Sequence, residues 1–337
     1  MAVEPGLSEI ITTTLRRRRG TLTDNIENNN PVSRSMKEFD TFEMESGGRT
    51  LVEEVMFDEN ATVMHYSGGQ VLNTAYNPTL TAFEVDWKQF AGAVVINGRE
   101  ERMNAGPEGK IKLLKGRITA LEASLENYFN ADLISDGTAD GSLQLGGLKY
   151  WISTTPSSGT VGGIDRSTSA GTFARNFKFD TINDTTGGAP GGAATTAANI
   201  PTYLNYCINS TTRINDQTKV ILAGQSYFQF LQSAMLGLQR ITRESTTGRA
   251  GYMSLYYNGI EVVMCGGINF GGQTQVQTDR AYGVNTKYTK VRIHKDAYME
   301  PLPEVHSINQ DSKCKIVVFM GNMTCSAPAL NWVMFDS

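Results

Sequence analysis

Between Gly109 and Ser135 the apolar residues Ile111, Leu114, Ile118, Leu121, Leu125 and Tyr128 recur three and four apart, so the stretch predicts one helix with a single greasy stripe. Lys112, Lys115, Arg117, Glu122 and Glu126 fall on the other side. Pro107 stands where a helix can begin, Glu108 suits a positive N-terminal end, and Gly137 after Asp136 supplies a stop. At 1.5 Å per residue such a rod runs roughly 35 to 40 Å, about the width of a small domain, and it predicts a structural spine.

A chain of 337 residues, 40% hydrophobic and 19% charged, can bury a sizeable core in two or three lobes without staples. Its net charge of -4 excludes a surface that grips nucleic acid everywhere, but leaves room for local basic segments. Cys207, Cys265, Cys314 and Cys325 form no C-x-x-C pair, so neither a disulfide framework nor a zinc knuckle is indicated and buried free thiols are expected. No apolar run reaches the 18 or so residues that span a bilayer. The expectation is a protein made and folded in a cytoplasm, with no membrane partner.

Residues 1 to 48 read as a weakly organised arm, ordered only against something else. A short amphipathic piece, Ser8 to Leu15, runs into Arg16, Arg17, Arg18 and Arg19, and later into Asn28, Asn29, Asn30 and Pro31. The four arginines could neutralise phosphates or meet a neighbour's carboxylates, or simply form a solvated charge run. From Thr50 alternation takes over: Leu51, Glu53, Val55 and Phe57 oppose Val52, Glu54 and Met56, and Phe83, Val85, Trp87 and Gln89 alternate before the run Ala93 to Ile96. A polar tip, Ser67-Gly68-Gly69-Gln70, lies between them. The product is a long two-stranded ribbon, which is marginal alone in water and so needs another surface, most simply a neighbouring copy; the alternative is an ordinary hairpin within a larger sheet.

Past the spine, Gly146 and Gly147 introduce a strand-like aromatic run, Leu148 to Ile152, and Gly/Ser/Thr-rich loops follow at 153–172 and 185–198. Helical spacing returns from Pro201 to Ile214. Lys219 to Gly224 reads as a buried strand feeding a helix from Ser226 through Leu236, and Asn258-Gly259 as a hairpin turn. The tail is strand-rich from Tyr288 to His294, Lys315 to Met320 and Leu330 to Phe335, with Pro301 and Pro303 at bends or edges.

Chemistry at motif spacing is missing. The three histidines, His65, His294 and His306, have no partners in H-E-x-x-H or G-x-S-x-G patterns. Gly106 to Ile111 fails as a phosphate loop because Asn104 and Ile111 occupy required glycine and hydroxyl positions. Asp132, Asp136 and Asp140 lack the alternation of a calcium loop. No catalytic residue, metal or cofactor is expected.

Several segments together resemble the major capsid proteins of tailed bacteriophages, whose shell fold is named after phage HK-ninety-seven. Ile11 to Arg16 with Asp24 to Asn30 is similar to that family's N-terminal arm; Gly47 to Glu53 and His65 to Gly69 to its extended loop; Trp87 to Gly92 and Gly98 to Glu101 to the return; and Lys110 to Leu133 to its spine helix. Gly159 to Arg166 with Phe173 to Asn176 is similar to the start of the axial domain in a subset. The resemblance implies an α+β phage capsid shell fold with N-terminal arm, extended β-loop, peripheral domain with long spine helix, and axial α/β domain. In numbers, this is an arm at 1–48, an extended loop at 49–98, the peripheral domain with its spine at 99–145, the axial domain at 146–285 and return strands at 286–337. The last of those strands is free to lie on the axial domain.

The resemblance further implies a structural role without catalysis: self-assembly as pentamers and hexamers into an icosahedral head around double-stranded DNA, in a virion assembled in the host bacterial cytoplasm. Implied partners are further copies, nonspecifically packaged DNA, a separate scaffolding protein (the chain starts at the arm), a portal and a decoration protein. Contact residues expected for neighbours or DNA are Arg16, Arg17, Arg18 and Arg19, with Tyr66, Ser67, Gly68, Gly69 and Gln70 at the ribbon tip. Some relatives weld subunits through a lysine at that tip, but Tyr66 to Tyr76 holds none, so noncovalent contacts are expected. Alternatives are an encapsulin-type compartment shell and, more remotely, a hydrolase using Cys207 or Cys265 with His294 or His306.

Overall fold

The computed structural model describes residues 31–99, 107–214, 216–235, 254–265, 276–303, 305–306 and 312–337. In chain order its principal helices are α1 (Pro31–Glu38), α2 (Pro107–Ile134), α3 (Leu148–Trp151), α4 (Ile200–Thr211) and α5 (Gln225–Met235). The strands of the first half are β1 (Phe42–Glu45), β2 (Thr50–Met56), β3 (Leu80–Asp86), β4 (Lys88–Asn97), β5 (Thr160–Val161), β6 (Ile164–Asp165) and β7 (Phe177–Asp180). Those of the second are β8 (Val220–Ala223), β9 (Ser254–Tyr257), β10 (Ile260–Met264), β11 (Arg280–Val284), β12 (Thr289–His294), β13 (Glu300–Pro301), β14 (Val305–His306), β15 (Ser312–Cys325) and β16 (Trp332–Phe335).

Strand β15 organises the first six-stranded sheet because both its edges are used. Along one, β4 pairs antiparallel from Ser312↔Asn97 to Gly321↔Lys88. Along the other, β14, β13 and β12 follow in turn, and β1 runs parallel to β12. Pro301 ends the short β13, an edge position where a missing N–H is tolerated. Helix α2 covers this sheet with Ile118, Leu125, Phe129 and Leu133, all buried. Phe129 meets Phe319 at 5.2 Å between centroids, and Phe90 stacks on Phe319 at 4.7 Å. Gly92 allows this approach, since a Cβ there would stand 2.4 Å from Leu121 Cδ1.

The helix exists as its spacing predicts, but its buried stripe is rotated. Tyr128 is 63% exposed and Glu122 is buried. At 100° per residue Ile118, Glu122, Leu125 and Phe129 share one line, and Tyr128 lies about a quarter-turn from it. The side-chain positions expected for Ile111, Lys112, Leu114, Lys115 and Glu126 lie outside the described residues.

The second sheet has the order β7-β16-β11-β8-β10-β9. It is buried on both faces, which is why β8 reads as an unbroken apolar run. Ile221, Ala223, Val262, Ala281, Trp332 and Met334 meet α4 and α5 on one side, while Val220, Leu222, Val263, Tyr282 and Val333 face the other core. The β9–β10 hairpin turns at Asn258 (φ 52°) and Gly259 (φ 77°), the left-handed pair that an Asn-Gly turn favours. The final strand, β16, sits inside this sheet between β7 and β11.

Three expectations need correction. Residues 31–45 are not a loose arm: Val32 and Met36 of α1 are buried, Thr41 Oγ1 donates to Met36 O at 2.8 Å, and β1 joins the first sheet. Polar Ser33 and Ser35, also buried, disguised that helix. The run Leu148 to Trp151 is a helical turn rather than a strand. Gly147 lies so close to α2 that a Cβ would be 2.2 Å from Asp132 O, and the chain must turn there. Leu148 and Trp151, three apart, then enter the core together, and Trp151 Nε1 donates to Met323 O at 3.0 Å. Finally, the two-stranded part of the 49–98 segment ends at Asp86, since β4 belongs to the first sheet with Val94 and Ile96 buried.

Candidate intersubunit surface

The ribbon is β2 paired with β3, in register from Thr50↔Asp86 to Met56↔Leu80. Period-two alternation sends Leu51, Phe83 and Val85 inward, where Phe83 meets Trp151 edge-on at 5.4 Å. Glu84 N donates to Gly162 O at 3.0 Å, tying β3 to the β5–β6 turn. Gly162 has φ +54°, and a Cβ there would meet Phe83 at 2.8 Å, so glycine is required. The outer face carries Val52 (48% exposed), Met56 (69%) and Leu80 (70%) beside the exposed acids Glu54, Glu84 and Asp86.

At its root the ribbon is bound to the first sheet by a charged cluster. Arg292 of β12 donates to Glu53 Oε1 from Nε at 2.8 Å and from Nη2 at 2.7 Å, and Thr324 Oγ1 donates to the same oxygen at 2.7 Å. Arg292 also pairs with Glu45 and lies 3.5 Å from Glu43, whose other oxygen is 3.4 Å from Lys290 Nζ. Glu53 therefore occupies an inward position of the strand as a paired charge. Trp87 Nε1 donates to Gly48 O (3.1 Å) and Asn322 Nδ2 to Asp86 O (2.7 Å). The bend into β2 uses Gly47 and Gly48, at φ 138° and 131°.

Beyond Met56 and Leu80 the two chains stay together through Phe57 N to Thr79 O (3.1 Å), Asn77 Nδ2 to Glu59 O (3.1 Å) and Asn73 Nδ2 to Ala61 O (3.3 Å). The tip is a turn in which Gln70 N donates to Ser67 O at 3.0 Å, with Gly69 at φ 88°. Tyr66, Ser67, Gly68, Gly69 and Gln70 are all exposed. Around them stand Val63 (84% exposed), Val71 (89%) and Tyr76 (93%), apolar side chains without cover on an arm that has little core of its own. Arg16, Arg17, Arg18 and Arg19 lie outside the described residues.

Sequence reasoning missed the Arg292 cluster. The one local signal was Glu53 on the apolar side of the alternation between Leu51 and Val55. The thiol–imidazole alternative gains nothing. Cys207 and Cys265 are buried in different clusters, and burial raises both thiols above their ordinary range, the opposite of what a nucleophile needs. His294 packs edge-on against Trp87, and the side chain of His306 lies outside the described residues. Among the described residues no helix is long and apolar enough to cross a membrane.

No protein-family model matches the chain, and no curated protein matches it. Solved structures do. A chain of the capsid asymmetric unit of cyanophage A-1(L) is similar at TM-score 0.64 and 12% identity, over 88% of this chain and 90% of that one. A chain of the capsid of the native GTA particle is similar at TM-score 0.55 and 10% identity, over 90% of each. One from Mycobacterium phage Bobi is similar at TM-score 0.51 and 12% identity, over 88% and 89%. Over most of its length the chain therefore has the fold of phage capsid proteins.

Proposed function

We propose that this chain is the major capsid protein of a tailed bacteriophage, a structural protein without catalysis that assembles as pentamers and hexamers into an icosahedral head around double-stranded DNA. The observation that carries the reading is the ribbon: it projects an uncovered apolar and acidic face from a body that has the capsid fold. Laid across a neighbouring copy, that face would be buried, and a closed shell would repeat each modest contact around the symmetry axes. Tyr66 to Gln70 would reach the adjacent subunit, and Arg16 to Arg19 would face the DNA or an interface. In domain terms, the ribbon would be the extended loop, α2 with the first sheet the peripheral domain, and the second sheet with α4 and α5 the axial domain.

Expression of the full chain, followed by electron microscopy and sedimentation, tests this reading. Closed particles of uniform diameter that carry nuclease-protected DNA when made with their genomic neighbours support it. A species that stays monomeric at every concentration refutes it, and particles that enclose a protein cargo and no nucleic acid replace it with a compartment shell.

A further inference from the structure

Strand β15 changes character along its length. From Gly321 to Cys325 every residue is buried, whereas from Lys315 to Met320 buried and half-buried residues alternate. The buried set, with Val317 and Phe319, lies on the α2 side, where Phe319 meets Phe129. The opposite face is closed at one end by the root of the ribbon, since Asn322 Nδ2 donates to Asp86 O and Thr324 Oγ1 to Glu53 Oε1. From Met320 back to Ile316 that cover stops, but the sequence stays apolar on both faces. In β4, Gly92 faces Leu121 of α2 and shares its side with buried Val94 and Ile96, so Ala91, Ala93 and Val95 point away. Exposed Ala91 pairs with Val318, exposed Ala93 pairs with Ile316, and Leu302, just past β13, donates its N–H to Ile316 O. Val95 and Leu302 are 45% and 40% exposed. A sheet with one wet face ordinarily alternates apolar with polar, and a run apolar on both faces belongs to a strand covered twice, as β8 is. Half of this face therefore lacks its second layer.

We propose that this open half of the first sheet's outward face is the docking site for the distal limb of the ribbon of a second copy of this chain. The face already takes a ribbon at its other end, the root of its own, so a second one extends an existing layer. The distal limb carries uncovered apolar side chains of its own in Val63, Val71 and Tyr76. Its length also fits: Phe57 to Ser67 spans at most about 36 Å at about 3.3 Å per residue, against about 33 Å for the ten residues of β4. Small Ala91 and Ala93 leave room for large side chains to settle between two layers about 10 Å apart. The contact joins two different patches, ribbon to sheet, so it is heterologous and repeats around a ring until the ring closes. The proposal rests on the shell reading and names the surface on which the ribbon lies.

The test uses the full chain and two readouts. In the first, Ala91→Glu and Ala93→Glu are combined, shell fraction is read by sedimentation velocity, and the melting temperature of the unassembled subunit is read in parallel. Both positions are open in the subunit, so its melting temperature should hold within about 2 °C, while charge buried under a docked ribbon should lower the shell fraction on the order of tenfold. Assembly as wild type, or failure only together with a lower subunit melting temperature, overturns the proposal. The second readout identifies the occupant through the native Cys314, which is half-buried on this face opposite Val95. Val63→Cys, Val71→Cys and Tyr76→Cys are made singly, and the assembled shells are treated with a short bismaleimide. At least one variant should give dimers on a denaturing gel, and those dimers should vanish when Cys314→Ser is added. Shells in which none of the three joins to Cys314 overturn the proposal even where the glutamates block assembly. A wild type that forms no shells instead refutes the shell reading, and this contact with it.

Discussion

Replacing Glu53 or Arg292 tests whether the ribbon is held to the body by charge. Glu53 receives two Arg292 donors and the Thr324 hydroxyl within 2.8 Å, with the two charged side chains only 14% and 20% exposed. Charge-assisted bonds of this kind contribute about 1.5–3 kcal/mol in partly buried settings. Because Arg292 keeps Glu45 and Glu43, Glu53→Gln should cost only about 1–2 kcal/mol. Arg292→Met should cost more, about 3 kcal/mol, since it leaves three carboxylates facing one another. A double-mutant cycle on the unassembled subunit, read by urea midpoints at equal slope, should return a coupling of about 1–2 kcal/mol. Glu54→Gln, one residue along and on the outer face, should stay within about 0.5 kcal/mol. A coupling below about 0.5 kcal/mol, or equal costs for Glu53 and Glu54, would refute the clamp.

Asp132 is buried and its carboxyl is pushed up from 3.8 to about 6, chiefly by desolvation, against the opposing bond from Gln144 and with a small push from Asp140. The folded state therefore holds a proton that the unfolded chain releases, and stability falls as pH rises from 4 to 6. Asp132→Asn should flatten that slope and gain about 3 kcal/mol at pH 7, measured by denaturant titration across pH. Gly283→Ala would place a Cβ 2.0 Å from Trp332 Cε2, in a fully buried ring whose Nε1 donates to Thr218 Oγ1, so a loss of about 3 kcal/mol or more is expected in thermal or urea unfolding. Boiled, reduced particles should run as a single monomer band on a denaturing gel, because the ribbon from Tyr66 to Tyr76 holds no lysine. In the native subunit a thiol reagent should modify Cys314 first, while the buried Cys207, Cys265 and Cys325 should wait for unfolding, as mass spectrometry of the labelled peptides would show.

Local features of the fold were legible in the sequence. The α2 helix, the β8–Gly224–α5 unit and the Asn258-Gly259 turn each arise from neighbours in the chain and each formed, although the buried stripe of α2 is rotated from the expected one. What misled was burial decided at a distance. Pro31 to Glu38 looks polar, yet Val32 and Met36 find a core supplied by other segments. Tyr150 and Trp151 look like strand residues, but the approach of Gly147 to α2 forces a turn. The ribbon's strands were visible through alternation, whereas its anchor joins Glu53 to a residue 239 positions away. No periodicity announces such a pair. The burial of Arg166 is likewise a property of the folded surroundings, not of its own neighbours in sequence.

The most direct test of the account is a cryo-electron microscopy reconstruction of particles formed by the full chain. The account predicts a closed icosahedral shell in which the β2–β3 ribbon of each copy lies across the next, with Tyr66 to Gln70 in contact with it and Val52, Met56 and Leu80 covered. A particle in which every ribbon folds back on its own subunit, or leaves that face open to solvent, would contradict it.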